Sequence, residues 1–506
     1  MVNVNLVQLL SRSLTEKEGD SISFYGYSYA GKDVMRISLS VSSYLSESGV
    51  VPGDIVAVDM FNRPELLFII FGSWIAGATV TPINVHLKTE EILYQLADSG
   101  AKILFSESSL SERVTGALKS QAGEVKDVTL DLEGNDRQGN VYKDVFDREM
   151  EYGKPFQNPE DLFIIYTSGT TGRPKGAVLT SNNVYREALQ LQHVINIKKE
   201  DKMIIILPLF HVNNLMFSIA TLMRGGSLVI MRKFDIKEFF QQVSSYRPTL
   251  FSAVPTIYKM LIDSWTEENG RALSSLETGI CGAAPMPVKW FNDFERIYRI
   301  KIIEGYGLTE GTVASTINPR YAQRKVGSIG IPFPGQDVRI FSDNDEELPP
   351  GEIGEIVIRG PNVMKGYLNK DKETEVTLKN GWLHSGDIGY MDNDGYFYIV
   401  DRKKDMIIRG GENIFPKEVE DTLLKFPGIS EAAVIGVPDE LYGEEVMAFV
   451  VTQERGIREK DILEFCVKTM ASYKCPKRIE FISEIPKNSI GKVQKTELRK
   501  LVSTRK

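Results

Sequence analysis

The chain has 506 residues, which is too many for one hydrophobic core, so at least two structural units are expected. Apolar residues make up 42% and charged residues 25% of the sequence, as in an ordinary globular protein. A net charge of -8 argues against the broad basic surface that binds nucleic acid, so no nucleic-acid partner is expected. Three scattered cysteines argue against a disulfide framework and favour a cytoplasmic location.

No segment of the sequence predicts a membrane span. Residues 1–20 lack the basic start and apolar block of a signal peptide. The apolar stretch 66–83 contains Gly72, Gly77 and Pro82, so a buried helix that runs into a strand is favoured over a spanning helix. Peripheral contact with a membrane and a homodimer are both compatible with the sequence.

Helix-like and strand-like patterns alternate along the chain, which predicts an α/β fold built in layers. In chain order they are a strand at 54–59, a helix at 64–74, strands at 162–166, 202–207 and 227–231, a helix at 238–246, and strands at 249–254, 278–281 and 299–303. A smaller α/β pattern follows: a strand at 406–409, a helix that begins at Pro416, and strands at 431–437 and 447–451. Because a charged run at 401–405 separates the two patterns, we predict domains at residues 1–400 and 401–506.

The most informative segment is 166–176, which follows the strand-like run 162–166. It combines three glycines, four hydroxyls and a lysine: Gly169, Gly172, Gly176, Thr167, Ser168, Thr170, Thr171 and Lys175. Glycines let backbone N–H groups approach phosphate oxygens, and hydroxyls and an ammonium complete such a site. The position of Lys175 does not fit the Walker pattern. The segment therefore predicts a different kind of polyphosphate-binding loop.

Two further segments suggest a nucleotide. Segment 304–310 places Gly305 and Gly307 beside Tyr306 and ends at Glu310. Bare backbone beside a ring suits a flat base, and a carboxylate is a ligand that Mg²⁺ accepts; a turn with an exposed glutamate is the competing interpretation. Segment 382–389 contains Asp387, and a carboxylate can accept hydrogen bonds from two ribose hydroxyls at once.

Segments 408–414 and 486–493, which contain Gly410-Gly411 and Gly491-Lys492, complete a set of five. In this order, and over about residues 20–500, they resemble the adenylate-forming superfamily of acyl-CoA synthetases, peptide-synthetase adenylation domains and luciferases. The resemblance implies a large multilayer N-terminal domain that binds AMP and the acyl group, and a small mobile α/β lid at the C-terminus. It also implies ATP, Mg²⁺ and coenzyme A as cofactors and a small carboxylic acid as substrate.

The resemblance also implies a role for individual residues. The positions that match nucleotide or cofactor contacts are Thr167, Ser168, Gly169, Thr170, Thr171, Gly172, Lys175, Gly282, Ala283, Ala284, Glu304, Gly305, Tyr306, Gly307, Thr309, Asp387, Ile399, Arg402, Gly410 and Gly411. Tyr306 would pack on adenine, Thr309 would touch the α-phosphate, and Asp387 and Arg402 would bind the ribose.

The implied magnesium ligands are Thr167 and Glu310, and the implied catalytic residues are Lys492, Glu310 and His211. A lone histidine after an apolar strand is usually a core or loop residue, whereas the resemblance makes His211 the gate beside the acyl carboxylate. Asp401 matches the hinge. The implied reaction has two steps: Lys492 supports formation of acyl-AMP, and the small domain then rotates about Asp401 to bring Gly410-Gly411 to the CoA thiol.

The sequence says less about the acid. Gly305-Tyr306 stands where acetyl-specific members carry tryptophans and malonyl-specific members an arginine, which favours an apolar acid. Segments 361–367 and 401–407 look most like bacterial medium- or long-chain fatty-acyl-CoA ligases. The alternatives are an aryl- or succinylbenzoate-CoA ligase, a stand-alone adenylation enzyme that loads a carrier protein, and a binding protein that has lost catalysis; the joint presence of Lys492, Glu310 and Asp387 argues against the last.

Overall fold

The structure is a computed structural model that describes residues 5–114, 125–132, 140–148, 156–157, 159–167, 173–452, 456–487 and 493–503. Helices and strands alternate along these residues, so the predicted α/β class is confirmed. The helices are Leu6–Glu16, Gly31–Glu47, Pro64–Ile75, Thr89–Ser99, Asn140–Phe146, Ser181–Ile195, Val212–Arg224, Ile236–Tyr246, Pro255–Asp263, Glu267–Ala272, Val288–Tyr298, Asp371–Thr377, Pro416–Leu423, Glu459–Thr469 and Lys495–Ser503. Short 3₁₀ turns are Ser108–Leu110, Thr309–Gly311, Lys379–Gly381, Lys403–Asp405 and Ser472–Lys474.

Two large sheets with mainly parallel central strands form the middle of the molecule. The first runs, from edge to edge, through Ile331–Pro332, Thr316–Ile317, Lys301–Tyr306, Thr278–Cys281, Leu250–Ala253, Lys202–Ile205, Ser227–Ile230, Asp20–Phe24 and Tyr27–Ala30. The second runs through Gly366–Tyr367, Lys175–Thr180, Asp161–Thr167, Thr79–Pro82, Ile55–Asp59, Ile103–Glu107 and Lys126–Leu130. Asp161–Thr167 and Lys175–Thr180 are antiparallel, which places the ends of the predicted phosphate loop side by side.

The alternation of side chains along the strands decides which helices cover each face. Met203 and Ile205 belong to a core shared by both sheets, whereas Ile204 belongs to a core on the outer face. In the second sheet Val58 faces the shared core and Ala57 faces outward. The helices with residues in the shared core include Gly31–Glu47, Pro64–Ile75, Ser181–Ile195 and Val212–Arg224.

Other helices close the outer faces. Ile236–Tyr246, Pro255–Asp263 and Val288–Tyr298 contribute to the outer core of the first sheet, and Thr89–Ser99 contributes to that of the second. The described chain thus stacks helix, sheet, helix, sheet and helix layers. Helix Pro64–Ile75 is buried along its whole length and leads to the buried strand Thr79–Pro82, which confirms the interpretation of 66–83. No helix within the described ranges is long and apolar enough to cross a membrane.

Two smaller sheets follow the large ones. An antiparallel sheet contains Asp337–Phe341, Gly354–Arg359, Leu383–Met391 and Phe397–Arg402 in that order. The last sheet contains Glu412–Ile414, Ile407–Arg409, Gly443–Thr452 and Ile429–Asp439, with Arg478–Phe481 parallel to Gly443–Thr452. The two apolar clusters of this last sheet contain only residues from Ile407 onward, as a separate C-terminal unit requires. The boundary at residue 401 stays a prediction.

Candidate active site

A cavity of about 630 Å³ lies where several strands end. The carboxyl ends of Asp161–Thr167, Thr278–Cys281 and Lys301–Tyr306 meet there, which is where α/β sheets usually bind ligands. The predicted site residues that line it are Thr167, Lys175, His211, Gly282, Ala283, Gly305, Tyr306, Gly307, Thr309, Glu310 and Arg402. The fold therefore gathers residues that are up to 235 positions apart in the sequence.

Of the predicted side chains of the phosphate loop, the structure describes those of Thr167 and Lys175. These residues are directly opposite each other in the antiparallel pair, and both line the cavity. The other predicted members of the loop, Ser168, Gly169, Thr170, Thr171 and Gly172, lie outside the described residues. A hydroxyl and an ammonium thus flank the point where the loop leaves and re-enters the sheet.

Glu310 lies on the 3₁₀ turn Thr309–Gly311 and faces Thr167. The Thr167 hydroxyl donates a hydrogen bond of 3.3 Å to Glu310 Oε1. A carboxylate and a hydroxyl that share one wall of a cavity with Lys175 fit Mg²⁺, which is usually held by one or two carboxylates together with substrate phosphates. The donor set therefore suits magnesium bound to a polyphosphate.

Tyr367 belongs to the same group, and the sequence analysis missed it. Its hydroxyl donates a hydrogen bond of 2.7 Å to Glu310 Oε1, and Lys175 Nζ lies 5.1 Å from the centre of its ring. Burial, reinforced by Glu310, raises the pKa of Tyr367 well above its ordinary value, so the phenol stays protonated at neutral pH. No sequence signal marked this tyrosine, because its place depends on the pairing of Gly366–Tyr367 with a distant strand.

Tyr306 forms the adjacent wall. Gly307 follows it, and a side chain there would lie 2.1 Å from the carbonyl oxygen of Val313, so only glycine fits. The Tyr306 hydroxyl is buried and donates a hydrogen bond of 2.7 Å to Asp387 Oδ2. Burial, with Asp387 next in effect, raises the pKa of Tyr306 well above its ordinary value, which keeps this hydroxyl a donor.

Asp387 lies at a bulge between two strands of the antiparallel sheet. Glu355 pairs with Ile388, and Val357 pairs with His384. Between these two pairs the strand Leu383–Met391 has residues 385–387, whereas the strand Gly354–Arg359 has only residue 356. Such bulges redirect side chains. Asp387 is only 3% exposed, and its Oδ1 lies 3.0 Å from Nε of Arg402. The Asp387 carboxylate thus accepts a hydrogen bond from the Tyr306 hydroxyl and forms an ion pair with Arg402 on the neighbouring strand.

The residues Gly282, Ala283 and Ala284 follow the strand Thr278–Cys281. Ala283 has a φ of +68°, a left-handed conformation that costs an alanine roughly 1–2 kcal/mol. Gly282 and Ala283 line the cavity, whereas Ala284 is not among its lining residues. Backbone strain at a cavity wall is common at functional sites.

Part of the cavity lining is apolar. Seven apolar residues of the shared core line it: Leu191, Val212, Phe217, Ile280, Val313, Ala314 and Ile317. This part of the lining suits a hydrocarbon better than a charged group.

His211 also lines the cavity and is the N-cap residue of helix Val212–Arg224. Burial, with a smaller effect of His86, lowers the pKa of His211 to about 4. The imidazole is therefore neutral at physiological pH. Its Nε2 is buried and has no hydrogen-bond partner among the described residues, which is uncommon for a buried polar atom.

Glu304 and Ile399 lie apart from the cavity lining, as do Ala284 and Asp387. The Glu304 carboxylate accepts hydrogen bonds from the backbone N–H groups of Met286 at 3.3 Å and Gly327 at 3.4 Å. Burial raises the pKa of Glu304 to about 7. Ile399 packs against the apolar cluster that contains Tyr306. Both residues support the wall rather than forming its surface.

The predicted hinge residue, Asp401, is buried near the end of strand Phe397–Arg402. Its carboxylate accepts hydrogen bonds of 2.7 Å from the backbone N–H groups of both Arg402 and Lys417. Gly410 and Gly411 form the exposed tip of the hairpin between Ile407–Arg409 and Glu412–Ile414, with φ values of +59° and +88°. The structure does not bring them to the cavity, and Lys492 lies outside the described residues.

A charged group on the cavity rim was also missed. Lys403 Nζ lies 2.8 Å from Asp343 and 3.5 Å from Glu355, and Glu355 lies 3.3 Å from Nδ1 of His384. Asp343, the nearest partner, raises the pKa of Lys403, so the lysine stays charged. Lys403 lies two residues after Asp401, in the 3₁₀ turn Lys403–Asp405. Its ion pair with Glu355 therefore connects this turn to the antiparallel sheet.

The layered fold and this cavity define an adenylate-forming enzyme, and comparison with known proteins gives the family. A family model described as AMP-binding enzyme matches residues 12–368, and one described as AMP-binding enzyme C-terminal domain matches residues 418–492. The chain therefore belongs to the AMP-binding enzyme family.

Named relatives agree with this assignment. The chain is 35% identical to a long-chain-fatty-acid–CoA ligase of Bacillus subtilis, over 94% of this chain and 91% of that protein. It is 37% identical to a feruloyl-CoA synthase of an Amycolatopsis species, over 92% and 93%. The ATP-bound crystal structure of MatB from Rhodopseudomonas palustris superimposes with a TM-score of 0.91 and 30% identity, over 98% of both chains. The chain is accordingly an acid–thiol ligase of the adenylate-forming superfamily.

Proposed function

We propose that this enzyme uses ATP to activate an apolar carboxylic acid, a medium- or long-chain fatty acid, and passes the acyl group to the thiol of coenzyme A. One observation carries the proposal. A single cavity is lined both by apolar residues such as Phe217 and Ile317 and by the polar residues Lys175 and Glu310. An acid whose tail packs against the apolar residues would present its carboxylate to a phosphate held by the polar ones.

In the first step a carboxylate oxygen of the acid bonds to the α-phosphorus of ATP, and the bond from that phosphorus to pyrophosphate breaks. The products are acyl-AMP and pyrophosphate. Thr167 and Lys175 are suited to orient the phosphates, and Asp387 and Arg402 to orient the ribose. Lys492, by the resemblance of its segment, would stabilise the negative charge that develops between the carboxylate and the α-phosphate.

Magnesium is supported by Glu310 and Thr167, whose oxygens are 3.3 Å apart in the cavity. When bound, Mg²⁺ supplies positive charge that screens the phosphate oxygens from the approaching carboxylate. The chain's own part is to keep a hard carboxylate ligand beside the phosphates and to hold Lys175 close by.

In the second step the sulfur of coenzyme A, as its thiolate, bonds to the acyl carbon, and AMP leaves with the electrons of the broken C–O bond. We propose that residues 401–506 act as the lid, which rotates about Asp401 so that Gly410 and Gly411 border the path of the thiol. Domain rotation of this kind can keep water from a reactive anhydride. Because the pKa of His211 is about 4, its neutral imidazole contributes shape and hydrogen bonding rather than charge.

The test is AMP release that depends on both ATP and coenzyme A, measured across straight-chain acids from acetate to palmitate and across benzoate and cinnamate. A maximum at eight carbons or more supports the fatty-acid assignment. Release of AMP that ignores coenzyme A, together with transfer to a carrier protein, would replace it with a carrier-loading function. Absence of AMP release and of ATP–pyrophosphate exchange with every acid would refute the ligase proposal.

A second candidate acid is aromatic. The feruloyl-CoA synthase relative favours it, as does Gly305, which lines the cavity without a side chain. Turnover with cinnamate but not with fatty acids would keep the mechanism and change the substrate class.

We place the reaction in the cytoplasm, with small molecules as partners. Cys281, Cys466 and Cys475 are all free thiols, as a reducing compartment favours. A peripheral membrane contact and a homodimer stay proposals that sedimentation with vesicles and light scattering would test.

A further inference from the structure

Tyr367 contacts two groups of opposite charge in the cavity lining. Its hydroxyl donates 2.7 Å to Glu310 Oε1, while the face of its ring lies 5.1 Å from Lys175 Nζ. Glu310 Oε1 also accepts the hydrogen bond from Thr167. One aromatic side chain therefore contacts the proposed metal ligand and the proposed phosphate-binding cation.

The backbone fixes the position of this ring. Tyr367 is opposite Ala177 in an antiparallel pair, and its N–H donates a hydrogen bond of 2.9 Å to the hydroxyl of Thr374. Lys175 is two residues before Ala177 on the same strand, so its side chain is on the same face as Ala177 and diagonal to the tyrosine. At Gly366 a Cβ would lie 2.9 Å from Thr374, so the residue before the tyrosine has no room for a side chain.

The ring also explains why the two charges stay separate. Although both line the same cavity, Lys175 and Glu310 form no ion pair within 4.0 Å in the described structure. A direct pair would neutralise both groups before a nucleotide arrived. The ring face instead stabilises the ammonium, and the hydroxyl satisfies one carboxylate oxygen. The second oxygen, Oε2, is left for a cation.

We propose that Tyr367 is a positioning residue for ATP and magnesium, which acts by holding the Glu310 carboxylate and the Lys175 ammonium apart and in place. The inference rests on the proposed function, since it assigns these two groups to the metal and to the phosphates. Groups that orient metal ligands typically change metal affinity by about 10- to 100-fold when removed.

The experiment measures binding rather than turnover. ATP binding to the full-length protein is followed by calorimetry, without acid or coenzyme A, as Mg²⁺ is titrated. Tyr367→Phe keeps the ring and removes the hydroxyl, so the Mg²⁺ concentration for half-maximal enhancement of ATP binding should rise about 10-fold. Tyr367→Leu also removes the ring, so its ATP affinity without Mg²⁺ should be about fivefold lower than that of Tyr367→Phe.

The matched control is Tyr398→Phe, which removes another tyrosine hydroxyl bound to a carboxylate, here Asp392 at 3.2 Å and away from the cavity lining. It should bind ATP and Mg²⁺ like the wild type. Melting temperatures of all variants show whether each is folded, and Tyr367→Phe alone decides the question if Tyr367→Leu unfolds. An unchanged Mg²⁺ dependence in folded Tyr367→Phe would overturn the positioning role, whereas wild-type protein that binds no ATP would overturn the proposed function itself.

Discussion

Asp387→Asn is the most direct test of the nucleotide site. Asparagine has the size of aspartate and keeps an oxygen that can accept the hydrogen bond from the Tyr306 hydroxyl, now 2.7 Å from the carboxylate. It loses the negative charge that lies 3.0 Å from Nε of Arg402. The fold is therefore expected to persist, while the ribose contact that we assign to this carboxylate becomes weaker.

The size of the effect follows from the contacts. A hydrogen bond to a charged group contributes about 1.5–3 kcal/mol, and a neutral one about 0.5–1.5 kcal/mol. If the carboxylate accepts from both ribose hydroxyls, each bond loses about 1 kcal/mol on substitution. The total of about 2 kcal/mol corresponds to about a 30-fold rise in the Kd of ATP.

The assay compares ATP with its 2′-deoxy and 3′-deoxy analogues by calorimetry. Wild-type protein should discriminate against both analogues, and Asp387→Asn should lose most of that discrimination. Asp392→Asn is the matched control, because Asp392 lies in the same hairpin but its carboxylate is bound by Lys325 at 2.5 Å and not by the cavity-lining residues Tyr306 and Arg402. If Asp387→Asn discriminated as strongly as the wild type, the carboxylate would not read the ribose, and our assignment would fail.

Three further predictions follow from other parts of the site. Lys492→Ala should lose most acyl-AMP formation and still convert supplied acyl-AMP and coenzyme A. Gly411→Leu should still form acyl-AMP and lose most transfer to coenzyme A. Separate assays of the two half-reactions check both variants, and equal loss of both steps in either folded variant would contradict the two-state lid. Glu304 has a pKa raised by burial to about 7, so between its ordinary value near 4.5 and pH 7 the folded state binds more protons than the unfolded state. The free energy of unfolding of the wild type should therefore fall by about 3 kcal/mol as pH rises through that range, and Glu304→Gln should lack this fall. Urea unfolding of both proteins at pH 4.5 and 7.5 measures the difference. Phe217→Ala should cost about 3–5 kcal/mol of stability and shift the preferred acids toward larger ones, whereas Phe294→Ala, which is buried away from the cavity, should cost a similar amount and leave the acid profile unchanged.

The sequence was sufficient to place some candidate site residues at the ends of strands. Thr167 and Tyr306 each close an apolar run, and the carboxyl ends of strands in an α/β sheet meet at one edge. Gly307 was predicted as bare backbone beside a flat ring, and the structure adds another reason for glycine, because a side chain there would meet the carbonyl oxygen of Val313. Local pattern and general topology together are enough at these positions.

Tyr367 could not be predicted in this way. Its contact with Glu310 depends on the antiparallel pairing of Gly366–Tyr367 with Val178 and Ala177, and nothing in the local sequence gives that register. The rim pairs of Lys403 with Asp343 and Glu355 depend likewise on a neighbouring sheet. Long-range pairings of this kind are decided by tertiary packing, which a local pattern does not contain.

The limits of strands show a related effect. The apolar run predicted a strand at 202–207, but the ladder ends at Ile205. Ile206 and Leu207 are nonetheless buried, because they line cavities and the outer core after the chain has left the sheet. Burial sets the apolar pattern, whereas hydrogen-bond pairing sets the strand, and the two diverge where the chain leaves the sheet to line a cavity.

Asp401 sets a condition on any rotation of the C-terminal unit. Arg402, the next residue of its strand, pairs with Asp387 in the antiparallel sheet. The Asp401 carboxylate accepts a hydrogen bond from the N–H of Lys417 in the first turn of helix Pro416–Leu423. Phe415, the residue before that helix, supplies no side-chain cap, so Asp401 does so from the preceding strand Phe397–Arg402. A rotation that left Asp401 behind would break a charge-assisted hydrogen bond of about 1.5–3 kcal/mol, whereas one that turned at Asp401 itself could keep the cap. The proposed pivot is therefore best placed at the backbone of residue 401, with the carboxylate moving together with the helix that it caps.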